Sequence, residues 1–324
     1  MMTKYESGPR LLADVGGTNA RFALETAPFQ FEAVEVLPCA GHASLGAAVK
    51  AYLAGPAAQA VAAVRVAHAA IAIANPVEGD VVAMTNHHWS FSIAALKYEL
   101  GLETLAVVND FTALAMALPH LGPQQWMQVG GGQPRAGSAI GLVGPGTGLG
   151  VGGLVPVDGR WVALASEGGH ASFAPGDDLE DELMLALRRE YGHVSAERLL
   201  SGAGLELIYR VLSKSEPLPA AEITRRALDG SCVECVRVVE CFFAVLGSVA
   251  GNVALTLGAT GGMYIGGGIV PRLVTLVAQS QFRARFEAKG RLSDYVARIP
   301  TYLITEPYPA FFGVSAILSE RMAA

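Results

Sequence analysis

Charge is scarce in this chain and cationic charge never gathers: 23 Lys and Arg stand against 29 Asp and Glu in 324 residues, a formal net charge of −6. Without a run of basic residues there is no electrostatic footprint for nucleic acid or an anionic membrane surface, so small-molecule chemistry is favoured. Before Asp14 the N-terminus offers only a short apolar stretch from Leu11, too short for the core of a secretory signal, and nothing directs export. Cysteine is rare: Cys39, Cys232, Cys235 and Cys241 include one C-x-x-C pair, with no second pair and no suitably spaced histidines to complete a zinc site. Reduced structural thiols in a reducing cytoplasm are the expectation. Low-complexity segments and long linkers are absent, and so is the Walker A pattern G-x-x-x-x-G-K-[ST].

One run lacks charge altogether, from Cys241 to Pro271, bounded by Glu240 and Arg272. A membrane span needs roughly 20 predominantly apolar residues. This stretch carries Ser248, Asn252, Thr256 and Thr260 and breaks at Gly261-Gly262, so it predicts a buried helix from about Val236 to Leu257, then a strand at Met263 to Ile265. A composition 52% hydrophobic can fill the cores of two ordinary domains.

The chain opens with an apolar strand, Leu11 to Val15, a Gly16-Gly17 turn, and an alternating strand, Asn19 to Leu24, which together predict a β-hairpin. Strand character at Ala62 to Ile73, a helix at Ile93 to Leu100, a buried strand at Leu105 to Val108 and a helix at Phe111 to Leu118 give the α/β class. Pro119, Gly122, Gly130 to Gly132 and Pro134 mark a boundary. A second hairpin follows, with arms Ser138 to Val143 and Leu149 to Pro156 about the turn Gly144-Pro145-Gly146-Thr147-Gly148. Both halves therefore open with strand, glycine-rich turn containing threonine, and strand, a weak internal repeat. Asp177 to Leu212 is helical in pattern, capped by Asp177 or Asp178, with Pro217 and Pro219 in the next loop; Gly266-Gly267-Gly268 follows a strand and precedes a helix.

Both hairpin turns set glycines beside a threonine hydroxyl, so backbone N–H groups can converge on phosphate oxygens; a purely structural turn has the same composition. Asp14 at the end of the first strand suits either a turn-initiating role or Mg²⁺ held through water. Asn109 and Asp110 lie at the carboxyl end of an apolar strand, where open α/β sheets bind ligands. A carboxylate there can take a proton from an attacking hydroxyl, and either residue can cap the helix that follows. Ser166-Glu167-Gly168-Gly169-His170 joins an acceptor and an imidazole across two glycines, fitting a polyhydroxylated ligand or an exposed turn. The spacing of His87, His88 and His170 does not make a zinc site.

These residues in this order resemble the bacterial glucokinase family, within the sugar kinase, actin and heat-shock ATPase superfamily. The resemblance runs through Ala13-Asp14-Val15-Gly16-Gly17-Thr18-Asn19-Ala20-Arg21, Ala83-Met84-Thr85-Asn86-His87, Trp89-Ser90-Phe91-Ser92, Asn109-Asp110-Phe111, Gly144 to Gly150, Ser166 to His170, Glu197-Arg198-Leu199-Leu200-Ser201-Gly202 and Gly266-Gly267-Gly268-Ile269. It implies a two-lobed, actin-like ATPase (ribonuclease H-like) α/β fold with a central cleft. The small lobe would comprise residues 1–120 and 310–324, rejoined by a helix after Pro309, and the large lobe residues 121–309. It implies a cytoplasmic, homodimeric kinase acting on ATP and glucose with Mg²⁺. Ala13, Asp14, Val15, Gly16, Gly17 and Thr18 would form the first phosphate hairpin, with Asp14 on Mg²⁺ through water. Gly146, Thr147 and Gly148 would form the second, and Gly266, Gly267 and Gly268 would border the adenosine. Asn109, Asp110, Glu167, His170 and Glu197 would surround the sugar, with Asp110 as base and Trp89 to Ser92 touching the sugar.

Two departures qualify the resemblance. Asn75-Pro76-Val77-Glu78-Gly79 differs from the small, hydroxyl-bearing versions of this loop, and no cysteine-rich zinc cluster follows His170, nor a helix-turn-helix precedes Leu11. The second departure favours the zinc-free branch over sugar-responsive repressors. A kinase for another hexose, and a non-enzymatic regulator or filament former on the same scaffold, are the alternatives.

Overall fold

A computed structural model describes residues 5, 8–61, 65–85, 87–213 and 215–323. The chain divides into two compact units, Met1–Leu121 with Pro307–Ala324, and Gly122–Glu306.

The first unit contains β1 (Arg10–Val15), β2 (Asn19–Ala27), β3 (Gln30–Pro38), β4 (His68–Ile73), the short pair β5 (Val81–Ala83) and β6 (Ser90–Ser92), and β7 (Thr104–Asn109). Its main sheet has the order β3-β2-β1-β4-β7, antiparallel from β3 to β1 and parallel from β1 to β7. Alternation along β1 explains its unbroken apolar run. Leu11, Ala13 and Val15 pack with Leu45, Val49 and Tyr52, while Leu12 joins Ala70, Ala106, Phe311 and Val314 in a separate cluster. Each such large side chain contributes about 1.5–3 kcal/mol on burial. The last helix, Pro309–Ala323, supplies Phe311 and Val314 and so completes this core. A buried Arg10–Glu25 pair also reaches it, Ser315 accepting from Arg10 and donating to Glu25 at 2.6 Å.

The second unit contains β8 (Trp126–Val129), β9 (Ile140–Pro145), β10 (Leu149–Val157), β11 (Arg160–Leu164), β12 (Met263–Ile265) and β13 (Thr301–Ile304). Their order is β11-β10-β9-β12-β13-β8. Three antiparallel strands again lead into parallel neighbours, giving the repeated hairpin grammar a structural counterpart. The uncharged segment forms the larger part of a helix at Val233–Leu257. It is the one helix among the described residues long and apolar enough to cross a membrane. Here Val238, Phe242, Val245 and Ala254 lie in the core of the unit, together with Phe282 and Phe286. At Gly247 an added methyl would stand 2.9 Å from the Phe282 carbonyl carbon, and at Gly251 2.5 Å from the Phe286 oxygen, so glycine lets the helix Phe282–Glu287 pack directly on this one.

Some expectations shift. Within the stretch Ala62 to Ile73, strand structure begins only at His68, the start of β4, after a helix at Pro56–Val61, and residues 62–64 lie outside the described residues, as does Asn86. The patterned region from Asp177 is not one continuous helix: Asp178–Tyr191, capped by the Asp177 side chain, stops at Gly192 with φ 69°, and Gly202–Ser213 follows. Gly266 to Gly268 leads into a 3₁₀ turn at Val270–Leu273 and a single α-turn at Val274–Val277.

Candidate functional site

The parallel register aligns the carboxyl ends of three strands. Asp14, Ala72 and Val108 form one row, and Val15, Ile73 and Asn109 the next. Ala13 and Val15 are buried supports on either side of Asp14. Asp14 faces Arg21 across the hairpin, and the guanidinium lies 3.1 Å from Oδ2. Burial raises the Asp14 pKa, opposed by Arg21.

Asn109 caps the helix that follows it. Its Oδ1 accepts from the Phe111 and Thr112 amides at 2.9 and 3.1 Å, while its Nδ2 donates to Asp110 Oδ1 at 3.0 Å. The Phe111 amide also donates to Asp110 Oδ1, at 2.8 Å. The Asp110 carboxyl is thus oriented through one oxygen. Its pKa is pushed up to about 6, first by burial and then by the charge of Asp14, against the lowering effect of these donors. An acid poised near neutrality at a strand end is suited to proton transfer.

The Gly16–Thr18 turn is held by its carbonyls. Gly16 O accepts from Cys39 Sγ at 3.4 Å, and Thr18 O from the Cys39 amide at 2.8 Å. Among the described residues no acceptor takes the amide of Gly17 or Thr18. Two consecutive free N–H groups on a fixed turn are chemically able to receive an anion.

The second unit uses the same device. Gly146 O accepts from the Gly202 amide at 2.9 Å and Pro145 O from Ile269 at 3.3 Å, whereas among the described residues no acceptor takes the amides of Thr147 and Gly148. The amides of Gly267 and Gly268 are free in the same sense, and both residues are exposed, while Gly266 is buried and donates to Val143 O at 2.9 Å. These two glycine segments adjoin: a methyl built on Gly146 would stand 3.8 Å from the Gly268 nitrogen.

Glu197 Oε2 accepts from the Leu149 amide at 3.0 Å, and its Oε1 lies 4.0 Å from His170 Nδ1. His170 Nε2 is likewise 4.0 Å from Glu167 Oε2. Gly169 is buried where a side chain would strike Leu149, which fixes the turn against the hairpin. Glu167, 82% exposed, and His170 therefore project from a rigid base. Separations of 4.0 Å leave room for a hydroxyl to bridge imidazole and carboxylate.

Other expected residues serve structure. Trp89 is buried and its indole donates to His42 O at 3.0 Å, while Ser92 caps the helix Ile93–Glu99 and donates to Asp80 at 2.5 Å. Asn75 Oδ1 accepts from the Thr85 amide and hydroxyl at 3.0 and 2.8 Å. Among the described residues no group of three or more His, Cys, Asp or Glu is arranged to hold a metal ion. The anchoring of the two turns by Cys39 and Gly202 escaped the sequence reading, which named both residues for other reasons: Cys39 lies about twenty residues from its turn, and only pairing of β2 with β3 brings it back.

A family model described as Glucokinase matches residues 11–321. The chain is 57% identical over 327 residues to the bifunctional protein glk of Burkholderia pseudomallei, covering 99% of this chain and 50% of that protein. It thus spans about half the length of such relatives. It is 55% identical over 323 residues to a glucokinase of Chromobacterium violaceum, covering 98% of this chain and 91% of that one. The crystal structure of a glucokinase from an Antarctic psychrotroph superposes with a TM-score of 0.88 at 38% identity, covering 96% of this chain and 99% of that one. With such neighbours the two units have the actin-like ATPase fold of sugar kinases.

Proposed function

This chain belongs to the glucokinase family, and from that premise we propose that it transfers the γ-phosphoryl group of ATP to the 6-hydroxyl of glucose, with Asp110 as general base. The observation that carries the reading is the Asp110 carboxyl itself, fixed through Oδ1 at the end of β7 and raised to about 6. Near neutral pH it is largely ionised yet basic enough to accept the hydroxyl proton as the oxygen attacks. Phosphoryl transfer otherwise asks for positioning and charge stabilisation, which free amides of the kind present in each glycine turn would supply. Asp14 is a hard oxygen donor in a partly desolvated position, a fit for Mg²⁺ held through water beside phosphates. Bound there, the ion would neutralise charge on the phosphate oxygens. A cytoplasmic homodimer belongs to the same proposal, supported by the family resemblance.

The decisive measurement is ADP release from Mg-ATP with glucose, fructose, mannose, galactose and N-acetylglucosamine in turn. Glucose should give the highest kcat/KM. Preference for another hexose, or ADP release indifferent to sugar, would overturn the assignment.

Glu167→Gln keeps the shape but replaces an acceptor oxygen with a donor, so a sugar hydroxyl meets a mismatched group. The expected cost is roughly 1–3 kcal/mol, about one to two decades of glucose affinity, with little change for ATP. Separate calorimetric titrations with each ligand check this. ATP affinity lost while glucose binding is intact would place Glu167 on the wrong substrate.

Gly146→Val probes the second hairpin. The nearest atoms to a methyl at Gly146 are 3.8 and 4.0 Å away, so the fold should tolerate a first side-chain atom. The larger isopropyl group would occupy the space before the Thr147 and Gly148 amides. ATP affinity is expected to fall at least tenfold, worth about 1.4 kcal/mol, with glucose affinity retained. Unchanged nucleotide titration of the folded variant would count against the turn as a phosphate site.

A further inference from the structure

We propose that Cys232 and Cys235 form a redox-reversible dithiol, a modification site at the start of the helix Val233–Leu257 that closes as an intrachain disulfide. Cys232 is the helix N-cap in extended backbone, φ −142° and ψ 113°, and its Sγ accepts from the Cys235 amide at 3.4 Å. That bond curls the first sulfur back over the residue that bears the second. Residues three apart at a helix start have Cα atoms about 5–6 Å apart, within the span that a disulfide bridges. Cys232 is partly exposed and can meet a reagent, whereas Cys235 is fully buried behind it.

The two sulfurs differ in chemistry as well as access. Burial, followed by the bond with Cys232, pushes the Cys235 thiol up to about 12, so it is the resolving sulfur and not the first nucleophile. The Cys232 side chain lies at the helix N-terminus, its Sγ donating to the adjacent Glu234 carboxylate at 3.5 Å. The remaining thiols have other surroundings: Cys39 donates to Gly16 O, and burial raises Cys241 to about 12.

The oxidant is a soluble low-molecular-weight disulfide. The Cys232 thiolate attacks one of its sulfurs, forming a mixed disulfide and releasing one thiolate. Cys235 then gives its proton to solvent, attacks Cys232 Sγ and expels the second thiolate. Two protein thiols lose two electrons, the reagent disulfide becomes two thiols, and the two protons finish on these.

The test uses the full chain in glutathione buffers of graded oxidised-to-reduced ratio, quenched by alkylation and mapped by mass spectrometry. Of the four thiols, two should disappear together as a Cys232–Cys235 bond and return on reduction. Cys235→Ser should stop at a mixed disulfide on Cys232. Cys232→Ser, which keeps a good N-cap and hence the fold, should leave every remaining thiol alkylatable. A wild-type chain that retains four free thiols at all ratios, pairs other cysteines, or holds a lasting mixed disulfide on Cys232 overturns the proposal. The readout is covalent, so it is independent of the proposed kinase activity.

Discussion

Asp110→Asn is expected to lower kcat by about 10²–10⁴-fold while the chain stays folded. The amide keeps an Oδ1 that can accept from Asn109 Nδ2 and the Phe111 amide, so the helix Asp110–Ala117 retains its start. What it loses is the capacity to take a proton. The pKa of about 6 sharpens the expectation in two ways. Activity of the wild type should fall as pH drops through about 6, because the base becomes protonated, and the residual activity of the variant should lack that limb. Stability runs in the opposite sense. A carboxyl raised above its unfolded value of about 3.9 holds its proton more tightly in the folded state, so the stability it contributes is full below that value and is lost as pH rises through about 6. At about pH 8 the amide variant should therefore melt no lower than the wild type, which separates lost chemistry from lost structure. If kcat stayed within a factor of about three of the wild type, Asp110 could not be the base.

The residues that make this experiment possible were visible in the sequence because their chemistry is local. An apolar run that ends in Asn109-Asp110 and passes into a helical pattern marks a strand end and a cap together. The same holds for the two hairpins, where each glycine turn stands between alternating strands, and for the buried helix, whose lack of charge over many turns leaves few options besides a core. What escaped is nonlocal or muted. Strand β3 alternates Glu32, Val34 and Val36 on exposed positions at a sheet edge, so its pattern reads as neither clean strand nor clean loop. The β10–β11 connection is a tight Asp158-Gly159 turn with φ 48° and 77°, a hairpin signal that was present but overshadowed by the larger glycine turn before it. Gly192 ended a helix within an otherwise unbroken charged pattern, because a single left-handed residue outweighs periodicity. Cys39 and Gly202 were invisible as anchors since each matters only through a carbonyl that folding brings to it.

The glycine segment after β12 provides the second large effect, and it isolates one position. Gly267 has φ +81°, a conformation that costs a residue with a Cβ about 1–3 kcal/mol. A methyl there would also overlap Pro145 O and stand 2.8 Å from the Gly144 carbonyl carbon. Neither is a flexible side chain that could turn away. The segment cannot simply lift either, because Ile269 donates to that same Pro145 oxygen at 3.3 Å and Gly266 to Val143 at 2.9 Å. Gly267→Ala is therefore expected to cost roughly 3–5 kcal/mol and to lower the melting temperature by on the order of 10 °C. By displacing the segment from the Gly146–Gly148 turn it should weaken ATP binding by at least about a hundredfold, equivalent to about 2.7 kcal/mol. Gly268→Ala is the matched control one residue away, for a methyl at Gly268 meets no heavy atom within 4 Å. That variant should melt within about 2 °C of the wild type. Calorimetric melting and nucleotide titration of the two variants side by side test the argument. Equal stability and equal ATP affinity in the pair would mean that the segment is free to move off Pro145, and that its contact with the second hairpin does not shape the nucleotide site.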